Sequence, residues 1–197
     1  VIKFGFDNTC DVRFHPNENL YSIKNKKIAI YSKLIGKHNR MNIMAAIAIG
    51  EALDIPCNVI KESLDGDVTI SGRLEVKRLR KDIVLIDDSY NANPSSMMRA
   101  IDVLAEYKGN KILVIGDMAE LGNLAVKHHK DLAKYILEKK IDVVFGVGKM
   151  TKLTIDILGD VGRWYESNSD LTIDLEKLLK KECIVLIKGS RFMKMEQ

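Results

Sequence analysis

The sequence predicts an α/β protein: residues 71–197 form a mostly parallel sheet with helices on both faces, preceded over residues 1–70 by a smaller unit of different pattern. Three observations predict it. Short apolar or β-prone runs recur after Gly72, segments with a helical apolar stripe separate them, and polar turns follow the runs. Strands that alternate with helices pair in parallel through crossover connections. At 197 residues, 46% hydrophobic and 29% charged, the chain supports one sizeable core and part of a second.

The elements follow in order. Val12–Phe14, Leu20–Ile23 and Ile28–Tyr31 alternate between Asn-, Pro- and Lys-rich turns and read as antiparallel strands or hairpins. The sequence opens inside a run, as though the body of that domain were missing. From Arg40 the period becomes helical through Met44, Ile47 and Ala48, with Asn39 available as N-cap. A second helix is expected from Pro56 to about Asp65–Gly66. Leu74–Leu79, Ile83–Ile86, Lys111–Ile115, Val143–Val147, Arg163–Tyr165 and Ile184–Ile187 are the strands of the second unit. Helices are expected near Ser95–Tyr107, Val126–Lys139, Thr151–Leu158 and Leu171–Lys181. Met97, Ile101 and Leu104 form one buried stripe, and His129, Leu132, Ala133 and Ile136 another.

A net charge of +4, from 31 basic and 27 acidic residues scattered along the chain, gives no argument for nucleic acid. The basic runs Lys77–Lys81 and Lys180–Lys181 flank apolar segments and read as solvated edges. Cys10, Cys57 and Cys183 stand far apart with no ligand spacing, so free, mostly buried thiols are expected. No leader pattern and no window of 18 apolar residues is present, which leads to the expectation of a soluble cytoplasmic protein without membrane insertion.

Open parallel sheets bind ligands outside the carboxyl ends of their strands. Five polar segments stand there: Asp87–Asn91, Gly116–Asp117, Gly146 with Gly148, Glu166–Ser167 and Lys188–Arg191. Asp87 and Asp88 could hold a ribose hydroxyl or a metal, with Tyr90 over a base or sugar, or could simply form the turn and cap the next helix. Gly116–Gly122 enters a helix and suits an anion or a plain cap. It lacks the G-x-G-x-x-G fingerprint and thereby weakens a hydride-transfer reading. Gly146–Lys149 fails as a P-loop, with Val143 where glycine is needed and Met150 in place of Ser or Thr. Lys188 and Arg191 could anchor a carboxylate, or form a solvated strand exit. His128 and His129 are neighbours on a helix, point in different directions and do not make a metal pair.

In combination, Gly36-Lys-His-Asn-Arg-Met-Asn42, Gly72-Arg-Leu-Glu75, Asp87-Asp-Ser-Tyr-Asn-Ala-Asn-Pro94, Gly116-Asp-Met-Ala-Glu-Leu-Gly122 and Lys188-Gly-Ser-Arg191 resemble the Mur ligases in kind and in order. The Asp87–Pro94 and Gly116–Gly122 motifs resemble the branch that adds D-alanyl-D-alanine to UDP-N-acetylmuramoyl-tripeptide. The resemblance implies a Rossmann-like C-terminal domain and the end of a central ATPase domain. It also implies ATP with Mg2+, an acyl-phosphate route to an amide in peptidoglycan precursor synthesis, and a monomer with small-molecule substrates. Asn42 is then similar to an adenine contact, Arg73 to the arginine that reaches the ATP phosphates, and Asp88 and Tyr90 to contacts around the ribose. Asp117, Glu120, His129, Lys188, Ser190 and Arg191 correspond to the acceptor side.

The P-loop Lys and Thr, the magnesium ligands, the modified lysine and the UDP-sugar domain have no counterpart in the chain. It also stops at Gln197, where the family continues into a helix. The expectation is a portion without ligase turnover of its own. Another Mur ligase, a folylpolyglutamate synthase or a non-catalytic nucleotide-binding module are the alternatives, and a dehydrogenase ranks last.

Overall fold

The computed structural model describes residues 1–24, 26–66, 70–80, 82–179 and 182–197. The chain forms two compact units, Val1–Thr69 and Ile70–Gln197.

In the first unit, strands β1 (Phe4–Gly5), β2 (Val12–His15), β3 (Leu20–Ile23) and β4 (Lys26–Ile28) form a sheet in that order. β1 runs parallel to β2, and the other pairs are antiparallel. Val12, Phe14, Tyr21, Ile23, Ile28 and Ile30 pack with Ile43, Met44, Ile47 and Ala48 of α1 (Lys37–Ala52) and Ile60 of α2 (Cys57–Leu64). Gly50 permits this helix pair to close, because a Cβ there would stand 2.7 Å from Ile60 Cδ1.

Two expectations are corrected here. α1 begins at Lys37 rather than Arg40, entered from Gly36 at φ 91°. Asn39 is not its cap: its amide donates to Ile35 O at 2.8 Å from inside the first turn. The last strand is Lys26–Ile28 rather than Ile28–Tyr31, because pairing with β3 sets Tyr21 opposite Ile28 and Ile23 opposite Lys26.

The second unit holds β5 (Glu75–Arg80), β6 (Ile83–Asp87), α3 (Pro94–Ala105), β7 (Asn110–Ile115), α4 (Ala125–Glu138), β8 (Val143–Val147), α5 (Thr151–Leu158), β9 (Gly162–Tyr165), α6 (Asn168–Leu178) and β10 (Cys183–Lys188). Its sheet order is β5-β6-β10-β7-β8-β9. Only β5, at the edge, is antiparallel. Period-2 alternation splits the strand residues between two faces. Ile83, Ile112, Val114, Phe145, Val147, Cys183 and Val185 meet Leu171 and Leu175 of α6. α3 lies on β7 and β10, α5 on β8 and β9, and α4 between α3 and α5. Met97, Ile101, Leu104, Leu132 and Ile136, the two expected stripes, are fully buried there. Each such side chain contributes about 1.5–3 kcal/mol.

Lys77 is not a solvated edge residue: its ammonium bridges Glu75 and Asp87. Lys81 and Lys180–Lys181, including the end expected for the last helix, lie outside the described residues. Of the free cysteines only Cys183 is buried, while Cys57 is exposed. Among the described residues, no helix is long and apolar enough to cross a membrane.

Candidate functional site

Because β6, β10, β7, β8 and β9 run the same way, their carboxyl ends share one rim, in that spatial order. The return of the chain from β9 through α6 inserts β10 between β6 and β7. The exit of β10 at Lys188–Arg191 therefore lies between the Asp87–Asn93 loop and the Gly116–Gly122 loop, the type of crevice where open α/β sheets take ligands.

The two aspartates after β6 do different work. Asp87 turns toward β5: Oδ2 accepts from Lys77 Nζ at 3.0 Å, and Oδ1 from Ser89 Oγ at 2.6 Å and Ser89 N at 3.1 Å. Burial pushes its pKa up, but the Ser89 hydroxyl, the Lys77 ammonium and the Ser89 amide together hold it below the usual carboxylate value. Asp88 faces β10. Its Oδ1 accepts from Leu74 N at 3.1 Å and its Oδ2 from Lys188 Nζ at 2.6 Å. Lys188 is 3% exposed, and its Nζ also donates to Asn91 O at 2.8 Å. Burial pulls its pKa below that of an ordinary lysine, against the opposing pull of Asp88.

Tyr90 is the exposed aromatic residue of this loop. The Arg73 guanidinium lies over its ring at 4.3 Å from the centroid, and that of Arg191 at 5.9 Å. One aromatic ring thus meets two cations that come from opposite ends of the unit's sequence. Gly72 lets the loop approach: at φ +71° its carbonyl accepts from Tyr90 N at 2.9 Å, and a Cβ would meet that nitrogen at 3.1 Å. Asn93 caps α3 through Ser96 in a reciprocal pair, with Pro94 in the first turn. The capping alternative therefore holds for Asn93, while Asp88 and Tyr90 are left to the rim.

The β7–α4 loop is fixed by inward-turned side chains. Asp117 Oδ1 accepts from Thr151 N and Thr151 Oγ1, both at 2.7 Å, and its Oδ2 from Met150 N at 3.2 Å. It thereby caps α5 and stabilises the positive end of that helix. Ser190, also buried, accepts from Ala119 N at 2.7 Å and donates to Ala92 O at 3.3 Å. His129 is 1% exposed. Its Nδ1 lies 2.9 Å from Ala125 O and its Nε2 accepts from Met118 N at 3.3 Å. That pattern requires the tautomer with the proton on Nδ1.

The residues expected on the acceptor side therefore divide. Glu120, at φ 62°, and Arg191 are exposed. Arg191 Nη1 pairs with Glu196 Oε1 at 3.1 Å. Asp117, His129, Lys188 and Ser190 are buried in the scaffold of the loops. Arg73, Asp88, Tyr90 and Arg191 come together, while Asn42 stands exposed on α1 of the first unit, its amide 3.4 Å from Asn39 Oδ1. The sequence reading gave Thr151 and Lys77 no part in holding these loops, although Thr151 pairs with Asp117 and Lys77 with Asp87. Thr151 at a helix start carried a weak capping signal, but its partner is 34 residues away. Glu166–Ser167 is a helix start: Ser167 Oγ accepts from Asp170 N at 3.1 Å, so α6 begins at Asn168 rather than Leu171. Among the described residues, no group of three or more His, Cys, Asp or Glu is placed to hold a metal ion.

The family model described as Mur ligase, glutamate ligase domain, matches residues 72–191. The chain is 37% identical over 174 residues to the UDP-N-acetylmuramoyl-tripeptide–D-alanyl-D-alanine ligase of Buchnera aphidicola subsp. Baizongia pistaciae, covering 87% of this chain and 38% of that protein. It is 34% identical over 188 residues to the Escherichia coli protein of that name, covering 94% and 41%. A crystal structure of MurF from Acinetobacter baumannii superimposes with a TM-score of 0.87 at 27% identity, over 99% of this chain and 45% of that one. The chain thus spans 38% and 41% of the length of these two curated relatives. With the matched region extending from the Gly72 turn through the whole rim to Arg191, the chain belongs to the Mur ligase family.

Proposed function

We propose that residues 71–197 are the C-terminal domain of an ATP-dependent amide ligase that adds D-alanyl-D-alanine to UDP-N-acetylmuramoyl-tripeptide, and that residues 1–70 end its central ATP-binding domain. The observation that carries this reading is the pair of guanidinium groups on the exposed Tyr90 ring, beside the Lys188-held Asp88. A cationic, aromatic rim of this kind suits polyanions and carboxylates. The names of the relatives supply the substrates.

In this reading ATP activates the tripeptide carboxylate as an acyl-phosphate, and the amine of D-alanyl-D-alanine displaces phosphate to form the amide. The work of this chain is placement and charge neutralisation. Arg73, exposed and oriented by Tyr90, meets the phosphates. Asp88 and Tyr90 serve the ribose, Tyr90 with a ring face and edge, and Asn42 serves the adenine. Arg191 takes the acceptor carboxylate in a two-pronged grip, with Glu120 at its side. Asp117, His129, Lys188 and Ser190 hold the loops that present them. Mg2+ is held by residues outside these 197, as is the phosphate-gripping loop, since no G-x-x-x-x-G-K-[ST] segment occurs in the sequence. The 197 residues alone therefore release no phosphate from ATP, and the protein acts as a cytoplasmic monomer.

Titration calorimetry of the 197-residue chain tests the reading. D-alanyl-D-alanine is expected to bind saturably, with a loss of about tenfold or more in Arg191→Ala, as follows when one charge-assisted pair is removed. ATP affinity is expected to fall in Arg73→Ala. Affinities unchanged by both substitutions would overturn the assignment.

A further inference from the structure

Lys188 sits in the motif that the sequence placed on the acceptor side, yet its ammonium faces the opposite loop. An ammonium group has three donors. Here they meet Asp88 Oδ2 at 2.6 Å, Asn91 O at 2.8 Å and Asp88 O at 3.5 Å. The side chains of Lys188 and Asp88 are 4% and 13% exposed. A lysine that grips a soluble anion has to present its ammonium to solvent, and breaking this pair would strand a charge in a buried place.

We propose that Lys188 is a positioning residue: from the exit of β10 it braces the β6–α3 loop from within and so fixes Asp88 and Tyr90 for the nucleotide. What this loop binds rests on the function proposed above; the brace itself rests on the geometry. Ser190 is the second arm of the same exit, tied to Ala92 O on one side and Ala119 N on the other. Gly189 sets the path between the two arms, because a Cβ there would stand 2.6 Å from Met195 Cγ. Asp88 transmits the brace further, since its other oxygen accepts from Leu74 N next to Arg73. Lys188 thus reaches Tyr90 and the turn that carries Arg73 without contacting ligand.

Amide hydrogen exchange and ATP titration on Lys188→Met test this in the 197-residue chain. Exchange at the Leu74 and Tyr90 amides is expected to rise about tenfold or more, with Leu132 and Ile136 in α4 unchanged, the signature of local opening. ATP affinity is expected to fall about fivefold or more, whereas Ile136→Val, a core change of modest cost, leaves it unchanged. Exchange at Leu74 and Tyr90 equal to wild type would overturn the proposal. So would loss of D-alanyl-D-alanine binding with exchange unaltered, which would make Lys188 a direct ligand contact. If wild type binds neither ligand, the proposed function fails while the exchange comparison still decides on the brace. Should Lys188→Met not fold, Asp88→Asn keeps the acceptor for Leu74 and removes the ion pair. It is expected to speed exchange at Tyr90 about threefold or more, and no change there would likewise overturn the brace.

Discussion

Replacing Asp117 with alanine isolates the claim that this residue builds the rim rather than touching the acceptor. The carboxylate accepts three hydrogen bonds, from Thr151 N, Thr151 Oγ1 and Met150 N. Its removal leaves three donors at the start of α5 without a partner. Loss of a helix cap costs about 0.5–2 kcal/mol, and hydrogen bonds to a charged acceptor run about 1.5–3 kcal/mol. These figures overlap, because the cap is made of those bonds, so the expected loss is about 2–4 kcal/mol. The milder Asp117→Asn change retains one acceptor oxygen and sets an amide donor against the Met150 amide, for a loss of about 1–2 kcal/mol. Urea unfolding followed by tryptophan fluorescence reads this directly. The protein's one tryptophan, Trp164, donates from Nε1 to Gly148 O at 3.0 Å, so the signal belongs to the second unit whether or not the first unfolds with it. An Asp117→Ala variant within about 0.5 kcal/mol of wild type would refute the capping role.

Four further outcomes follow from the same structure. Gly148→Ala is expected to cost about 2–4 kcal/mol in the same assay, because φ is +113° and a Cβ would stand 2.4 Å from Asp117 Oδ1. Asn93→Ala is expected to cost about 1–2 kcal/mol through loss of the α3 cap, also read by urea unfolding. Burial, then the bond to Asp174, raise Tyr165 to a pKa of about 12 from 10.0. The folded state then keeps a proton that the unfolded chain releases, so stability is full below pH 10 and falls as pH rises through that window; Tyr165→Phe should lessen the fall in a pH series of urea midpoints. Glu196→Gln releases Arg191 from an exposed pair, for an expected gain of about two- to fivefold in D-alanyl-D-alanine affinity by calorimetry.

The second unit was legible because its strands are short apolar runs and its helices carry one apolar stripe each, signals contained within about ten or fifteen neighbouring residues. The helical stripes at Met97–Leu104 and His129–Ile136 were found for that reason, and the buried place of His129 with them. The position of β10 between β6 and β7, the antiparallel edge β5 and the parallel β1–β2 pair depend on contacts between distant segments and left no local mark. The rim loops were found by their polar residues at strand ends. Which of their side chains point out was not, because Asp117 is claimed by Thr151 and Lys188 by Asp88, partners 34 and 100 residues away. Motif resemblance marks the loops, and three-dimensional pairing sorts contact from scaffold within them.

In the proposed function this rim receives D-alanyl-D-alanine beside Arg191 and the nucleotide beside Arg73 and Tyr90. Backbone amide chemical shifts recorded during titration with each ligand test it most directly. D-alanyl-D-alanine is expected to move Glu120 and Arg191, ATP to move Arg73 and Tyr90, and the amides of α4 and α6 to stay in place. Saturable shifts confined to residues away from the rim would contradict it.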